Sequence, residues 1–345
     1  MKLLIITQKV DENDQLLGFF IEWLKRFANK FDRLVVLCLE KGKYDLPSNV
    51  EVISLGKDSG AGKLKILSTF CFLLSARRKD YDAVFVHMNP IWMAVGGLCW
   101  RIMKKKQFLW YTSKGITLKL KVAEKFADKI FTASSESFRL PSKKIIVTGH
   151  GIDTELFKPN SKFKIQNSKL KILSVGRIAP VKNYDTLINA AKILKDEGVD
   201  FSVTMVGETA LDNDIHYLES LKFKVKSLKL EERFNFVGKV NHNDLPKYYQ
   251  SHDIFVHLSK TGRLDKTILE AMACGMNVLS SNDSSKAFLR EEMIFQEDDS
   301  EELANKIKNL RNADYGQELR DYVLKNHNLD NLISKISAVI NHYLR

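Results

Sequence analysis

Nowhere in these 345 residues does an apolar run approach the ~18 residues that a membrane-spanning helix needs. The most apolar stretches, FCFLLSA (70–76) and IWMAVGGLCW (91–100), are too short. The opening MKLLIITQKVDEND has an apolar run that stops at Thr7 and Gln8, short of a signal-peptide core. The expectation is a cytoplasmic protein, at most peripheral on the inner face of a membrane. Cysteine is scarce as well. Cys38, Cys71, Cys99 and Cys274 lie far apart, with no Cys-x-x-Cys or Cys/His metal spacing, and read as buried thiols in a reducing compartment. Acidic residues are short in one half only. Residues 1–157 hold 26 Lys/Arg against 16 Asp/Glu, a net +10, and the remainder holds 28 against 26, a net +2, which together make the chain's +12. A bias across a whole domain points to an anionic partner. The chain has no nucleic-acid-binding motif and no basic strand interleaved with aromatics, so net charge alone does not make it a nucleic-acid binder. Repeats and low-complexity tracts are also absent.

What is present suits two domains of about 150 residues each, with 44% hydrophobic residues to fill two cores. In the first half, KLLIIT (2–7), LVVLCL (34–39), VEVISL (50–55), AVFVHM (83–88), FLWYT (108–112), KIFTAS (129–134) and KIIVTG (144–149) read as strands. They alternate with helical stretches. GFFIEWLKRFANKF (18–31) repeats Phe20, Trp23, Leu24 and Phe27 at helical spacing, and TLKLKVAEKFADKI (117–130) is expected to bury Val122, Ala123, Phe126 and Ile130 below a face of Lys119, Lys121, Lys125 and Lys129. Strand, helix, strand in this order predicts a parallel doubly wound sheet. GHGIDTELFKPNSKFKIQNSKL (149–170) lacks apolar periodicity, contains Pro159 and reads as a junction, with the linker proper at 158–169. KILSVG, FSVTMVG, FNFVGK, IFVHLS and NVLSS then predict a second sheet over 170–328, and LDNLISKISAVINHYL (329–344) a final amphipathic helix.

The second half carries the chemistry. KILSVG ends at Gly176 and runs into a short loop bearing Arg177 and Lys182, with a helix expected from about Tyr184. Two cations and the N–H groups of a helix start, at the carboxyl end of a parallel strand, make a diphosphate site. Downstream, Glu270 is read as opening the helix LEAMACG after a loop containing Gly262. A carboxylate so placed suits ribose hydroxyls. Gly275 is read as ending that helix.

The ordered motifs SVGR…K, MVGE, FVGKV and LEAMACG resemble the donor half of retaining, nucleotide-sugar-dependent glycosyltransferases of the GT-B fold, the glycosyl transferases group 1 or family 4. The resemblance implies two Rossmann-like domains facing a cleft: an acceptor-side domain at 1–157, a donor domain at 170–328 and a last helix, 329–345, packing back toward the first domain. It implies catalytic roles for Arg177 and Lys182. Gly176, Gly207, Val240, Asp265, Lys266, Thr267 and Glu270 would then surround a UDP- or GDP-sugar, with Val240 beside the base. Gly18, His87, Ser113, Lys114 and His150 would line the acceptor side, His150 near the interdomain cleft with Gly151 and Asp153. The donor is a substrate, so no cofactor is implied. The acceptor is a hydroxyl compound, lipid-linked or polysaccharide, and the basic first domain would meet an anionic membrane surface.

Two positions depart from the family pattern. Gly262 stands where most members carry a carboxylate that holds the donor sugar, eight residues before the ribose glutamate, leaving Asp265 or Lys266 as substitutes. Ser113, followed by Lys114, stands where a histidine is common, and a serine cannot carry protons as an imidazole does near neutral pH. These departures keep open a nucleotide-sugar-binding protein with little or no catalysis. A nucleotide-sugar epimerase is a further enzyme on the same fold. His87, at the end of AVFVHM, is expected at a strand edge facing the cleft. Asp212, Asn213 and Asp214 form an Asp-x-Asp read as a solvated loop, with no metal requirement.

Overall fold

The computed structural model describes residues 1–14, 16–160, 169–262 and 264–345. Most of the expected linker, 161–168, therefore lies outside the described residues. The chain divides into one unit made of Met1–Asp153 with Asn326–Arg345 and a second made of Thr154–Lys325. The division falls four residues before the boundary expected at 157.

The first unit runs β1 (Lys2–Val10), α1 (Phe20–Ala28), β2 (Arg33–Lys41), β3 (Val50–Ser54), α2 (Lys63–Ala76), β4 (Ala83–His87), α3 (Pro90–Ile102), β5 (Lys106–Trp110), α4 (Leu118–Phe126), β6 (Lys129–Thr132) and β7 (Ile145–Val147). All seven strands are parallel, in the order β3-β2-β1-β4-β5-β6-β7. Helices cover both faces, so the middle positions of the inner strands are apolar and alternate residues serve different cores. Leu3, Ile5, Phe85 and Trp110 pack on one side with Phe20, Trp23, Leu24 and Phe27 of α1. Leu4, Ile6, Val86 and Leu109 pack on the other with α2, α3 and α4.

Helix α4 stops at Phe126, short of the expected Ile130. Ala127 is already extended, and the Asp128 carboxylate accepts the N–H of Gln107 at 2.7 Å, which pins the next residues into β6. Ile130 is accordingly a strand residue. Two thiols also differ from expectation, since Cys71 on α2 and Cys99 on α3 are exposed while Cys38 and Cys274 are buried.

The second unit runs β8 (Leu170–Val175), α5 (Tyr184–Asp196), β9 (Phe201–Val206), α6 (Asp212–Ser227), β10 (Phe234–Gly238), α7 (Leu245–Ser251), β11 (Ile254–His257), α8 (Lys266–Ala273), β12 (Asn277–Ser280), α9 (Ser300–Leu310) and α10 (Gly316–Asn326). Its five strands are parallel in the order β10-β9-β8-β11-β12. The order reverses at β8, so the chain leaves β8 and β11 in opposite directions at their carboxyl ends and opens a crevice between them. Asp212–Asp214 form the first turn of α6, and Asp214 is buried. This corrects the solvated-loop reading.

The last helix, α11 (Leu329–Leu344), belongs to the first unit and places Leu332, Ile333, Ile336 and Ile340 in the core shared with α1. Residues 149–153 are tied to its start. Gly149, at φ +84°, leaves no room for a Cβ beside the Asn326 carbonyl, the Ile152 N–H donates to the His327 carbonyl, and the His150 N–H donates to His327 Nδ1 at 3.2 Å. Burial pulls the His327 pKa down from 6.5 to about 4. Between those values the unfolded chain binds a proton that the folded chain does not, so stability is full above pH 6.5 and falls as pH drops through 4. Urea titrations should show the wild type losing about 2–3 kcal/mol more than His327→Gln between pH 7 and pH 4.5. Parallel losses would assign the acid transition to other groups.

Candidate functional site

At the carboxyl edge of the second sheet, three glycines end neighbouring strands. A Cβ on Gly207 would stand 1.9 Å from the Gly176 carbonyl oxygen, and the Gly207 N–H donates to the Gly238 carbonyl at 2.9 Å. With φ at +143° for Gly207 and +79° for Gly238, both backbones lie where side chains are disfavoured. The backbones after β8, β9 and β10 thus close on one another. Two bonds hold the β8 and β11 ends together, Ser174 Oγ to the Val256 carbonyl at 2.8 Å and the Lys260 N–H to the Val181 carbonyl at 3.0 Å.

Arg177 leaves this junction half-buried, and its guanidinium has no hydrogen-bond or ion-pair partner among the described residues. Lys182 ends a short turn of 3-10 helix at 180–182, and its stem lies 3.8 Å from where a Gly176 Cβ would stand. Its ammonium is ion-paired with the Asp265 carboxylate. The helix start beside these cations is partly occupied from within the protein. The Tyr184 N–H donates to Tyr217 Oη at 3.0 Å, and Asp185 sits in the first turn. The expected free N–H groups of α5 are to that extent already used, since Tyr217 Oη donates in turn to Asp185 at 2.9 Å.

Across the crevice, α8 begins at Lys266, with Asp265 at its N-cap position and no side chain capping it. Glu270 is therefore the fifth residue of the helix and does not open it. The Lys-Thr-Ile-Leu stretch before it is itself helical, with Ile268 and Leu269 fully buried. The Gly275 N–H bonds to the Met272 carbonyl and the Met276 N–H to the Ala271 carbonyl, so the helix ends at a left-handed glycine as expected.

Glu270 is 4% exposed. Tyr249 Oη donates to its Oε2 at 3.0 Å, and His242 Nε2 approaches its Oε1 at 3.4 Å. Burial, with the Glu270 charge, raises the Tyr249 pKa well above its ordinary value. Lys266 lies one turn before Glu270 with its Nζ shut off from solvent. Burial pulls its pKa down to about 7, against the opposing pull of Glu270. Asp265 stands between His257 and Lys182. Burial alone would raise its pKa, but the His257 Nε2 contact at 3.0 Å and the charges of His257 and Lys182 outweigh it and hold the carboxyl well below its usual range. Thr267 follows in the first turn of α8, half-buried. Val240 is half-buried in the loop after β10, beside a shallow concavity lined by Lys239, Asn241 and Tyr248.

Arg177, Lys182, Asp265, Lys266, Thr267 and Glu270 thus gather around the β8–β11 reversal, and the three glycines shape it. The residues expected on the acceptor side belong to the first unit and are not equivalent to one another. His87 does not face an opening. It is 2% exposed, its ring stacks on Phe20 at 4.1 Å, and its Nδ1 meets Thr7 Oγ1 at 3.2 Å. His150 is likewise buried, with its ring 6.0 Å from that of His327. Gly18 precedes α1 by two residues, where a Cβ would meet the Asp14 carbonyl oxygen at 2.6 Å. Ser113 bridges to Phe138 and, like Lys114, is half-buried. Among the described residues no three His, Cys, Asp or Glu side chains converge as a metal-ligand set.

His257, His242 and Tyr249 were not anticipated. His257 alone carried a signal, a polar residue at the carboxyl end of the apolar run IFVHLS. The other two reach Glu270 from 28 and 21 residues away through tertiary packing.

Residues 157–328, about half of the chain, match the family model described as glycosyl transferases group 1. Over 149 residues the chain is 32% identical to the mannosylfructose-phosphate synthase of Agrobacterium fabrum, covering 41% of this chain and 33% of that protein. Over 121 residues it is 30% identical to the alpha-monoglucosyldiacylglycerol synthase of Streptococcus pneumoniae, covering 35% and 26%. The chain therefore spans about a third or less of the length of these curated relatives. The crystal structure of Anabaena Alr3699/HepE in complex with UDP superposes with a TM-score of 0.78 at 19% identity, covering 99% of this chain and 100% of that one. The same protein in complex with UDP-glucose gives 0.78 at 18%. With two parallel α/β units, the group 1 motifs on the second and this superposition along nearly its whole length, the chain belongs to the glycosyl transferases group 1 and has the GT-B fold.

Proposed function

We propose that the chain is a glycosyltransferase that moves a sugar, with retention at the anomeric carbon, from a nucleotide-diphosphate donor to a hydroxyl acceptor. The observation that carries this reading is Arg177, a half-buried guanidinium without a partner among the described residues, at the strand reversal where α/β sheets receive phosphates. In the transfer the anomeric C–O bond to the diphosphate breaks, a bond to the acceptor oxygen forms, and the acceptor proton passes to the departing phosphate. Negative charge grows on the diphosphate in the transition state. A planar guanidinium that can take two phosphate oxygens, aided by the Lys182 ammonium, stabilises that charge. Glu270, held by Tyr249 and His242, supplies the carboxylate for the ribose hydroxyls. The base is uracil or guanine, and the UDP and UDP-glucose complexes of Alr3699/HepE support the former.

A second reading, a nucleotide-sugar-binding protein with little turnover, is favoured by Ser113 and Gly262, which replace a common histidine and a common carboxylate of the family. Donor that binds but is never consumed with any acceptor would select it.

The first unit is the proposed acceptor side, working at an anionic lipid surface. The outward faces of α2, α3 and α4 and the loop before α4 expose Leu64, Phe72, Leu98, Ile102, Ile116 and Leu118. Lys63, Lys65, Lys119, Lys121 and Lys125 are interspersed among them and exposed, and the exposed Cys71 and Cys99 lie on the same helices. Apolar side chains among cations suit the boundary between headgroups and acyl chains. No helix among the described residues is long and apolar enough to cross a membrane. The Streptococcus relative is named for a diacylglycerol product, which supports a lipid-linked acceptor here.

In calorimetry with UDP- and GDP-sugars, Arg177→Ala should weaken donor binding about 10- to 100-fold, as losing a charge-assisted phosphate contact does, and Glu270→Gln should weaken it less without changing the preferred base. Unchanged binding in both would remove these assignments. Because two side-chain cations meet the diphosphate, turnover should survive EDTA. Loss with EDTA and recovery with manganese would contradict this. The protein should sediment with phosphatidylglycerol vesicles at low ionic strength and be released at about 0.5 M salt, with Lys119→Glu combined with Lys121→Glu weakening the association. Failure to sediment at low salt would sever the lipid link.

A further inference from the structure

Asp265 is the point where two recognition tasks meet. As the N-cap residue of α8 its carboxylate would ordinarily turn back to accept an N–H of the first turn, yet it makes no such bond. It is drawn away by His257 and Lys182, and both engage the same oxygen, Oδ2. Oδ1 has no partner among the described residues. The Asp265 side chain is 24% exposed, whereas that of His257, at the end of β11, is 4% exposed. One oxygen is therefore anchored from below by a buried imidazole, and the other is open. The ammonium on Oδ2 is the less permanent of the two partners, because Lys182 rides on a flexible stem and is 18% exposed.

The diphosphate reading gives Lys182 a second anion. A diphosphate arriving at Arg177 carries more negative charge than one carboxylate and lies beside the Lys182 stem. We propose that Lys182 and Asp265 form an exchange pair: donor diphosphate draws Lys182 off Asp265, and the released carboxylate, kept in place by His257, accepts the hydroxyl groups of the donor sugar. The inference rests on the nucleotide-sugar reading above and adds a mechanism to it. Gly262 offers no side chain to the sugar. Asp265, three residues on, does so only once the diphosphate is bound, and His257 is its positioning residue. A nucleoside diphosphate alone strips Lys182 from Asp265 and leaves the carboxylate uncompensated, whereas a nucleotide sugar supplies the replacement hydroxyls. Phosphate and sugar recognition are thereby coupled.

The test compares binding of a nucleotide with binding of its sugar conjugate, UDP against UDP-glucose and GDP against GDP-mannose, using whichever pair the wild type binds. In Asp265→Asn, which keeps a good N-cap residue, the nucleotide should bind as well or about 2- to 5-fold tighter, since Lys182 has lost its competing anion. The extra affinity of the sugar conjugate should fall about 10-fold or more. His257→Phe should leave nucleotide affinity unchanged and reduce only the sugar increment, and His257→Gln, which retains a donor, should restore part of it. A purely structural histidine would weaken both ligands together. Equal losses of nucleotide and conjugate in Asp265→Asn, or no change in either, would overturn the exchange while leaving the donor site standing. A wild type that binds none of the four ligands would overturn the donor reading and the exchange with it.

Discussion

The second unit is organised by a contact in which no side chain can take part. The backbones leaving β8 and β9 approach so closely that a Cβ on Gly207 would lie 1.9 Å from the Gly176 carbonyl oxygen. Because the strands are parallel, their carboxyl ends share one edge, and because the order reverses at β8, the loops after β8 and β11 diverge there. The glycine contact sets the direction in which the first loop departs, and so where Arg177 and Lys182 stand. Burial of Tyr184 beneath Gly176, with its hydroxyl donating to the Gly176 carbonyl at 3.1 Å, fixes the same junction from the helix side. The position of the cations is thus a property of backbone packing before it is one of charge.

On that scaffold, the charged groups differ in how far they are committed. Arg177 is uncommitted, Lys182 is paired with Asp265, and Glu270 is buried with hydrogen bonds to both of its oxygens. A buried carboxylate without partners would be strongly disfavoured, and Tyr249 and His242 satisfy one Glu270 oxygen each below the surface. Lys266, buried one turn away, pays for its desolvation with a pKa near 7. A half-buried guanidinium without a carboxylate is the most unusual of these arrangements, and an anionic ligand resolves it most directly.

Much of this was legible in the sequence, and the failures have physical causes. All twelve strands fall on the apolar runs that announced them, because strands buried on both faces are apolar at nearly every position. The cations after KILSVG and the glycine ending α8 are local features, fixed by residues within a few positions. The start of α8 was misplaced because the apolar run of LEAMACG outweighed the Asp265 N-cap signal four residues before it. Cys71 and Cys99 looked buried because α2 and α3 are apolar on nearly every face, a pattern that composition cannot distinguish from a core helix. The Lys182–Asp265 pair joins residues 83 apart, and nothing in the spacing foretells it.

The two units repeat one topology and fill its special point differently. In the first unit the order reverses between β1 and β4, with Gly18 in the loop after β1 and His87 as the last residue of β4. That place is plugged, with the His87 ring under Phe20 and flanked by Phe19 and Trp23, at centroid distances of 4.1, 6.3 and 5.7 Å. Aromatic packing stabilises the unit at the cost of a polar opening at the reversal, and the buried Phe20 and Trp23 rings each contribute on the order of 2 kcal/mol through burial. In the second unit the corresponding reversal is lined by Arg177, Lys182, Asp265 and Glu270, whose charges would weaken a core and have no value there except toward a ligand. The same backbone plan therefore yields one reversal filled by packed rings and one lined by charged side chains, and this contrast supports the proposed placement of the donor diphosphate at the second unit on grounds independent of any sequence likeness.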